Sequence, residues 1–276
     1  MKSWKYYNHA LVPATPLGVV PDLNELNDKG IWNENGNKAL LARWTTDFDC
    51  GYETDWWYCI KEAPYNYDEL SKSARKHIRQ ALRKVKVSII DPIPYAKEIY
   101  RVYTEAIEDY KNFKNTTNIN DFIASVEKDK RTYWAAFNIE TNEMVAYMIV
   151  GEKATYVDLY TAKFSKKFLN LQASTAMYND VLEYYLNKRN FNYVNSGERN
   201  INHQTNTQAY KIATFGYRKV YCKLHVIYNP KYKFLIKIAY HFRWLLSCLD
   251  KINIIHKINA VLKMEEISRK ARKDNE

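Results

Sequence analysis

The stretch YWAAFNIETNEMVAYMIVGEKATYVDLYTA, residues 133–162, decides the fold. It reads as three successive strands: YWAAFNI, then MVAYMIVG after a hairpin turn at Thr141-Asn142, then ATYVDLYTA. β-branched and aromatic residues dominate each run, and no crossover of helical length separates them, so the strands must follow one another as an antiparallel meander. Immediately downstream, Gln172 to Lys188 places Ala176, Met177, Val181, Leu182, Tyr185 and Leu186 on one apolar stripe and predicts a long helix.

Working outward, FNYVNSG (191–197) predicts a strand, Asn206–Thr214 a helix and Tyr217–Tyr228 a long strand. Upstream, WWYCI (56–60) predicts a buried strand ended by Pro64. Asp68 or Ser71 then supplies an N-cap for a helix through Arg83, with Ala74, Ile78, Ala81, Leu82 and Val85 on one face. VSII (87–90) follows as a strand. A helix after Pro94 carries Ile99, Val102, Tyr103, Ala106 and Tyr110, and a shorter one spans Asn120–Lys128. Residues 1–55 hold Pro13, Pro16, Gly18, Pro21, Gly30, Gly36 and Gly51, which predict turns and only short helices.

Composition bounds the function. The chain has 276 residues, 46 % hydrophobic and 26 % charged, the balance of a globular protein rather than a disordered one. The cysteines Cys50, Cys59, Cys222 and Cys248 form no CxxC pair, and MKSWKYYNHA lacks an apolar signal core, so a reduced, cytoplasmic protein is expected. The histidines never fall at ligand spacing with one another or with a cysteine, so no metal site is expected.

The net charge of +11 is concentrated in two segments. Leu70–Lys86 carries Lys72, Arg75, Lys76, Arg79, Arg83, Lys84 and Lys86 without an acidic residue. From Lys231 to the end, eleven Lys and Arg face five Asp and Glu. Both segments suit a polyanionic partner, such as the phosphates of a carrier, tRNA or an anionic membrane surface; both also fit a solvated helix face. In the tail, Phe234, Leu235, Ile238, Phe242, Leu245, Leu246, Leu249, Ile252, Ile255 and Leu262 are threaded with basic residues. That pattern fits a helix docked on the protein's own core or lying flat on a membrane, and it is too interrupted to span one.

The motifs carry a resemblance. SKSARKHIRQALRKVKVSII (71–90), through Arg75, Arg79, Lys84 and Val87, resembles the FemAB-type segment in which a basic helix precedes a strand. FNYVNSG resembles that family's strand ending in a polar, Gly-containing turn. Tyr210-Lys211 with Phe215-Gly216-Tyr217 resembles its aromatic-Lys and Phe-Gly signature, with one extra residue between the halves. The resemblance covers about residues 55–228 and points to the GNAT superfamily in its peptidoglycan-bridge (FemAB-type) branch.

It implies an α+β (mixed α/β) fold: a central mixed, mostly antiparallel sheet flanked by helices, with a C-terminal helical tail. The expected organisation is an N-terminal partial subdomain with the basic helix (1–90), an acyltransferase domain (91–228) and a basic amphipathic tail (229–276). The implied activity is N-acyl transfer from acyl-CoA (acetyl-CoA) or aminoacyl-tRNA to an amine of a small molecule, sugar or cell-wall precursor. The alternative is a non-catalytic RNA- or membrane-surface-binding protein with a degenerate transferase core. GNAT enzymes that use acetyl-CoA carry a Gly-rich loop before the long helix, where backbone N–H groups hold the pyrophosphate. The matching SKKFLNLQAS (165–174) has no Gly, which leaves Lys166, Lys167, Gln172 and Ser174 as candidate carrier-binding residues.

The polar run from Gly197 to Asn206 follows a strand end and precedes a helix, and supplies the candidate site. Amine acylation needs a proton acceptor, which Glu198, His203 or Asp158 could provide, and an acid for the leaving group, for which Tyr210 is the candidate. Arg199, Asn200 and Asn206 are candidates for holding the acceptor. Each has a plainer reading: ion pairs for Glu198 and Arg199, a loop residue for His203, an N-cap for Asn206, core packing for Tyr210. No GxSxG or comparable motif supports a covalent scheme.

Overall fold

The structure is a computed structural model describing residues 2–34, 36–108, 117–201 and 206–273. The chain folds into two compact units, one comprising Met1–Tyr58, Glu198–Thr205 and Lys219–Glu276, the other Cys59–Gly197 and Asn206–Arg218.

In the first unit, β1 (Trp4–Tyr7) and β2 (Ala10–Pro13) form a hairpin whose turn residues Asn8 and His9 take φ of +46° and +61°. A minor hairpin, β3 (Asn33–Glu34) with β4 (Asn37–Lys38), precedes β5 (Leu41–Thr46). β5 pairs parallel with β2 and antiparallel with β12 (Arg218–Tyr228). The expected short helices of residues 1–55 are present at Leu23–Asn27 and Lys29–Trp32, and the strands β1, β2 and β5 are additional to them. Their runs are short, and the glycines and prolines lie in the connections around them. What drives them together is burial: Trp4, Leu11, Leu26, Ile31, Trp32 and Trp44 share one core cluster.

The tail supplies α6 (Pro230–His241), α7 (Arg243–Cys248) and α8 (Asn253–Lys273). The core-docking reading holds for α8. α8 buries Ala260, Leu262, Ile267 and Ala271 against its own unit, and Ser268 Oγ accepts from Val226 N at 3.1 Å. α6 and α7 bury no residue.

The second unit holds the sheet in the order β6-β11-β10-β9-β8-β7. β6 is Trp56–Glu62, β7 Val85–Ile90, β8 Thr132–Asn138, β9 Met144–Glu152, β10 Tyr156–Phe164 and β11 Tyr193–Glu198. β7 through β10 pair antiparallel in succession, the expected meander preceded by one strand, and β11 joins β10 in parallel. Thus the sheet is mixed and mostly antiparallel. Asn142 closes the β8–β9 hairpin at φ +56°, a conformation asparagine tolerates well.

One face is covered by α2 (Ala96–Ile107) and α3 (Ile119–Lys128), where Ile99, Val102 and Val126 pack on Tyr133, Ala135, Met144, Tyr147 and Ile149. Tyr110, expected on α2, lies outside the described residues. The other face is covered by α4 (Ala173–Leu182), whose Ala176, Met177, Val181 and Leu182 are fully buried, and α1 (Lys72–Leu82) packs on α4. Ser71 caps α1 by accepting from Ala74 N at 3.1 Å. Val85, expected on the α1 face, instead opens β7. The long helix predicted over 172–188 is α4 followed by one wide turn at Glu183–Lys188, closed by a hydrogen bond from Arg189 N to Tyr184 O at 2.8 Å. Finally, α5 (Thr207–Phe215) ends at Gly216, which adopts φ +67° as a left-handed cap.

Candidate active site

The second unit contains a fork in its sheet. β10 and β11 pair at three positions, Tyr156 with Tyr193, Val157 with Val194 and Asp158 with Asn195, and the parallel ladder ends there. β10 continues along β9 to Phe164, with a register shift between Leu159 and Thr161 that makes Tyr160 a bulge. The Tyr160 ring lies against Gly151, where a Cβ would overlap it, and the Arg131 guanidinium stacks over the ring at 4.8 Å from its centroid. β11 turns at Gly197, whose φ is +94°. Asn195 latches the fork: its Nδ2 donates to Asp158 Oδ1 at 2.7 Å and its Oδ1 accepts from Gly197 N at 3.0 Å.

Lys211 lies behind this point. It is 5 % exposed, its Nζ donates to Ser196 Oγ, and it sits 4.7 Å from the centroid of the buried Tyr178 ring. Burial pushes its ammonium pKa down to about 8. Cys59 is its electrostatic neighbour, and burial pushes that thiol up to about 11. One residue earlier on α5, the Tyr210 hydroxyl shares a hydrogen bond with Thr175 Oγ1 at 2.7 Å, and its ring packs edge-on against Phe215. Tyr210 therefore joins α5 to the first turn of α4 and also serves the packing expected of it.

The glycine-free loop reaches α4 in an unexpected way. Gln172 takes φ +54° and ψ +38°, the left-handed conformation that glycine adopts at least cost, and its carbonyl accepts from Thr175 N at 2.9 Å. Its buried side-chain Oε1 has no hydrogen-bond partner among the described residues. Ser174 is half-buried in the first turn of α4. Lys166 is half-buried as well, and Lys167 is committed elsewhere: its Nζ is 2.8 Å from Glu105, which also accepts from Ser165 Oγ at 2.5 Å. Burial alone would raise the Glu105 carboxyl, but hydrogen bonds from Lys167, Ser165 and Arg101 outweigh it and hold the group below the usual carboxylate range.

Glu198 and Arg199 belong to the first unit, and each has a partner there. Glu198 forms an ion pair with the half-buried Arg43. Around this pair, burial and then the Glu198 charge push the Tyr58 hydroxyl up, and burial pushes the Cys222 thiol up to about 12. Arg199 donates to the Asp55 carbonyl and lies 3.5 Å from Asp55 Oδ1, while Lys270 holds the same carboxylate at 2.7 Å. Asn200 is exposed. His203 lies outside the described residues. Asn206 precedes α5, its carbonyl accepting from Tyr210 N at 2.8 Å, but its side chain makes no capping bond.

The structure thus brings Asp158 to the fork, and Tyr210, Gln172 and Ser174 to the start of α4. It ties Glu198, Arg199 and Lys167 into ion pairs. Lys211, Asn195 and Ser196 were passed over as site residues in the sequence reading. A signal for Lys211 was present: it precedes the buried Phe215 by four residues and so shares its face of α5, an unusual place for a lysine.

No protein-family model matches the chain, and no curated protein matches it. Among solved structures, that of FemX is similar over 84 % of this chain and 85 % of its own, with 12 % identity and a TM-score of 0.53. The structure of L-PGS from Bacillus licheniformis matches 82 % of this chain and 80 % of its own, with 12 % identity and a TM-score of 0.49. A GCN5-related N-acetyltransferase from Sphaerobacter thermophilus covers 68 % of this chain, at 13 % identity and a TM-score of 0.41. The chain shares the fold of FemX, a GNAT/FemAB-like fold.

Proposed function

We propose that this GNAT/FemAB-like chain is an N-acyltransferase, moving an acetyl or aminoacyl group from acyl-CoA or aminoacyl-tRNA to an amine of a small molecule, sugar or cell-wall precursor. The observation that carries this reading is the fork between β10 and β11 with Lys211 buried behind it. A slot opening beside an interrupted ladder accepts an extended carrier arm, and the backbone groups released there can bond to it and to the acyl carbonyl.

In the proposed reaction the amine nitrogen attacks the acyl carbonyl carbon. The C–N bond forms, and the carbonyl oxygen carries the developing negative charge. The C–S or C–O bond to the carrier then breaks, and the amine proton leaves to a base. Asp158, on the fork, is the best placed acceptor of that proton, with Asn195 fixing its carboxylate. Tyr210 is the proposed donor to the leaving group. Lys211, protonated below about pH 8, supplies positive charge through Ser196. Glu198 is better suited to orientation than to proton transfer, because Arg43 already engages it. Arg199, Asn200 and Asn206 remain the residues proposed to hold the acceptor, and His203 remains a proposed proton acceptor.

The carrier phosphates are proposed to bind at the start of α4, using Ser174 and the helix N-terminus with Lys166 and Gln172 from the segment that precedes it. α1 and the segment after it add charge: Lys84 Nζ, in the turn after the helix, donates to Asn170 O at 3.0 Å, and Lys72, Lys76, Arg79, Arg83 and, on β7, Lys86 are exposed. This arrangement suits CoA and tRNA alike.

A second reading, a non-catalytic binding protein with a degenerate core, is favoured by one observation: Lys167 and Glu198 are both engaged in ion pairs. A mass-spectrometric screen of acyl-CoA and aminoacyl-tRNA donors against a panel of amines separates the two. Acylated amine is the expected product. No turnover and no binding of either carrier overturns the transferase reading in favour of the second.

A further inference from the structure

From Asn229 to Leu249 the chain contains no Asp or Glu, and it carries Lys231, Lys233, Lys237 and Arg243. Interleaved with these cations on α6 and α7 are Phe234, Leu235, Ile238, Phe242, Trp244 and Leu249, each between 43 and 71 % exposed. A soluble surface seldom leaves so many large apolar side chains together in water.

These helices are not loose. Asn259 on α8 donates to Leu246 O at 3.0 Å and to Asp250 Oδ1 at 2.7 Å, and His256 pairs with Asp250 at 2.9 Å. Arg269 of α8 stacks on the Tyr240 ring at 4.0 Å. Polar and cationic contacts, with Ile236 packed on the core, thus fix α6 and α7 while Phe234, Leu235, Ile238, Phe242, Trp244 and Leu249 stay outward.

Two occupants of such a face can be weighed by charge. A two-fold contact with a second copy sets each patch against itself, bringing Lys231, Lys233, Lys237 and Arg243 near their own equivalents. An anionic bilayer presents the opposite charge to the cations and an apolar interior to the phenylalanine, tryptophan and leucine side chains. Among the described residues no helix is long and apolar enough to cross a membrane, so the contact is one of lying in the interface.

We propose that α6 and α7 dock this protein in the plane of an anionic phospholipid bilayer, with Phe234, Trp244 and Leu249 inserted among the lipids and the lysines at the headgroups. The proposal is independent of the transferase reading, since its readout is binding alone. The test is co-sedimentation of the full chain with phosphatidylcholine vesicles, with and without phosphatidylglycerol. Binding is expected only with phosphatidylglycerol, weakened by added salt. It should fall by about tenfold or more in the Phe234→Ser/Trp244→Ser/Leu249→Ser variant, whose substitutions are all at exposed positions. The Lys231→Gln/Lys233→Gln/Lys237→Gln/Arg243→Gln variant should lose binding comparably, and decides the matter if the first fails to fold. The proposal is overturned if the unaltered chain ignores phosphatidylglycerol vesicles at low salt, or if both variants bind as it does. It is also overturned if the chain is a dimer that the serine variant converts to monomer, which assigns the face to a second copy.

Discussion

Lys211 concentrates the chemistry of the second unit in one side chain. A buried ammonium is costly unless something is gained from it, and Ser196 and the Tyr178 ring compensate only in part. The Lys211→Met variant should therefore unfold at a higher temperature than the parent near pH 7 while losing transfer activity, a pairing that thermal melts and the donor assay read together. The sign with pH is fixed by the direction of the shift. The folded pKa of about 8 lies below the ordinary lysine value, so between the two the unfolded chain holds the proton and the folded chain does not. Stability from this group consequently rises with pH across that window, by roughly 3 kcal/mol in total, and the rise should vanish in Lys211→Met. Activity moves the other way, falling above about pH 8 as the positive charge is lost. Glu105 moves stability in the same direction, but in acid. Its depressed carboxyl stabilises the fold above the ordinary carboxylate pKa, and that contribution is lost as the pH drops through the folded value. Glu105→Gln should cost about 1–3 kcal/mol at pH 7, read by urea unfolding, and less in acid.

At the scale of elements, the meander was legible because each of its strands is a run of β-favouring residues and its first turn has a clear residue signature. β8 through β10 pair as expected. The fork itself was not legible. Nothing in the residues of β10 and β11 marks where a parallel ladder stops, because that depends on Gly197 turning one strand and Tyr160 bulging out of the other. The glycine-free loop was legible as an absence, but not its resolution, in which Gln172 takes the glycine-like conformation itself. The basic helix was legible from its Ser71 cap to its buried Ala74, Ile78 and Ala81, but not at its end, where Leu82 is exposed and Val85 opens β7. Its exposed cations make a prediction of their own. Lys76→Glu/Arg79→Glu/Arg83→Glu should leave thermal stability within about 0.5 kcal/mol, since these are surface positions. It should weaken carrier binding by at least about tenfold, with a shallower salt dependence, as measured by titration at two ionic strengths.

For the whole molecule, the sequence reading was strongest in the second unit and weakest in the first. Residues 1–55 seemed a field of turns, yet they contribute β1, β2 and β5 and a tryptophan-rich core. Short strands closed by tertiary burial leave little periodic signal, so Trp4 and Trp44 were visible only as isolated aromatics. α8 completes that unit, with Ile267 3 % exposed among Trp56, Leu224 and Val226. Ile267→Ala should therefore cost about 2–5 kcal/mol in denaturant unfolding, while Ile254→Ala, on the same helix but 72 % exposed, should cost little. The central claim, that the fork between β10 and β11 receives the carrier, is tested most directly by amide hydrogen exchange with and without saturating desulfo-CoA or aminoacyl-tRNA. The account predicts that one of these carriers slows exchange at residues 159–164, 173–176 and 196–197. Unchanged exchange in all three segments with either carrier at saturation contradicts it.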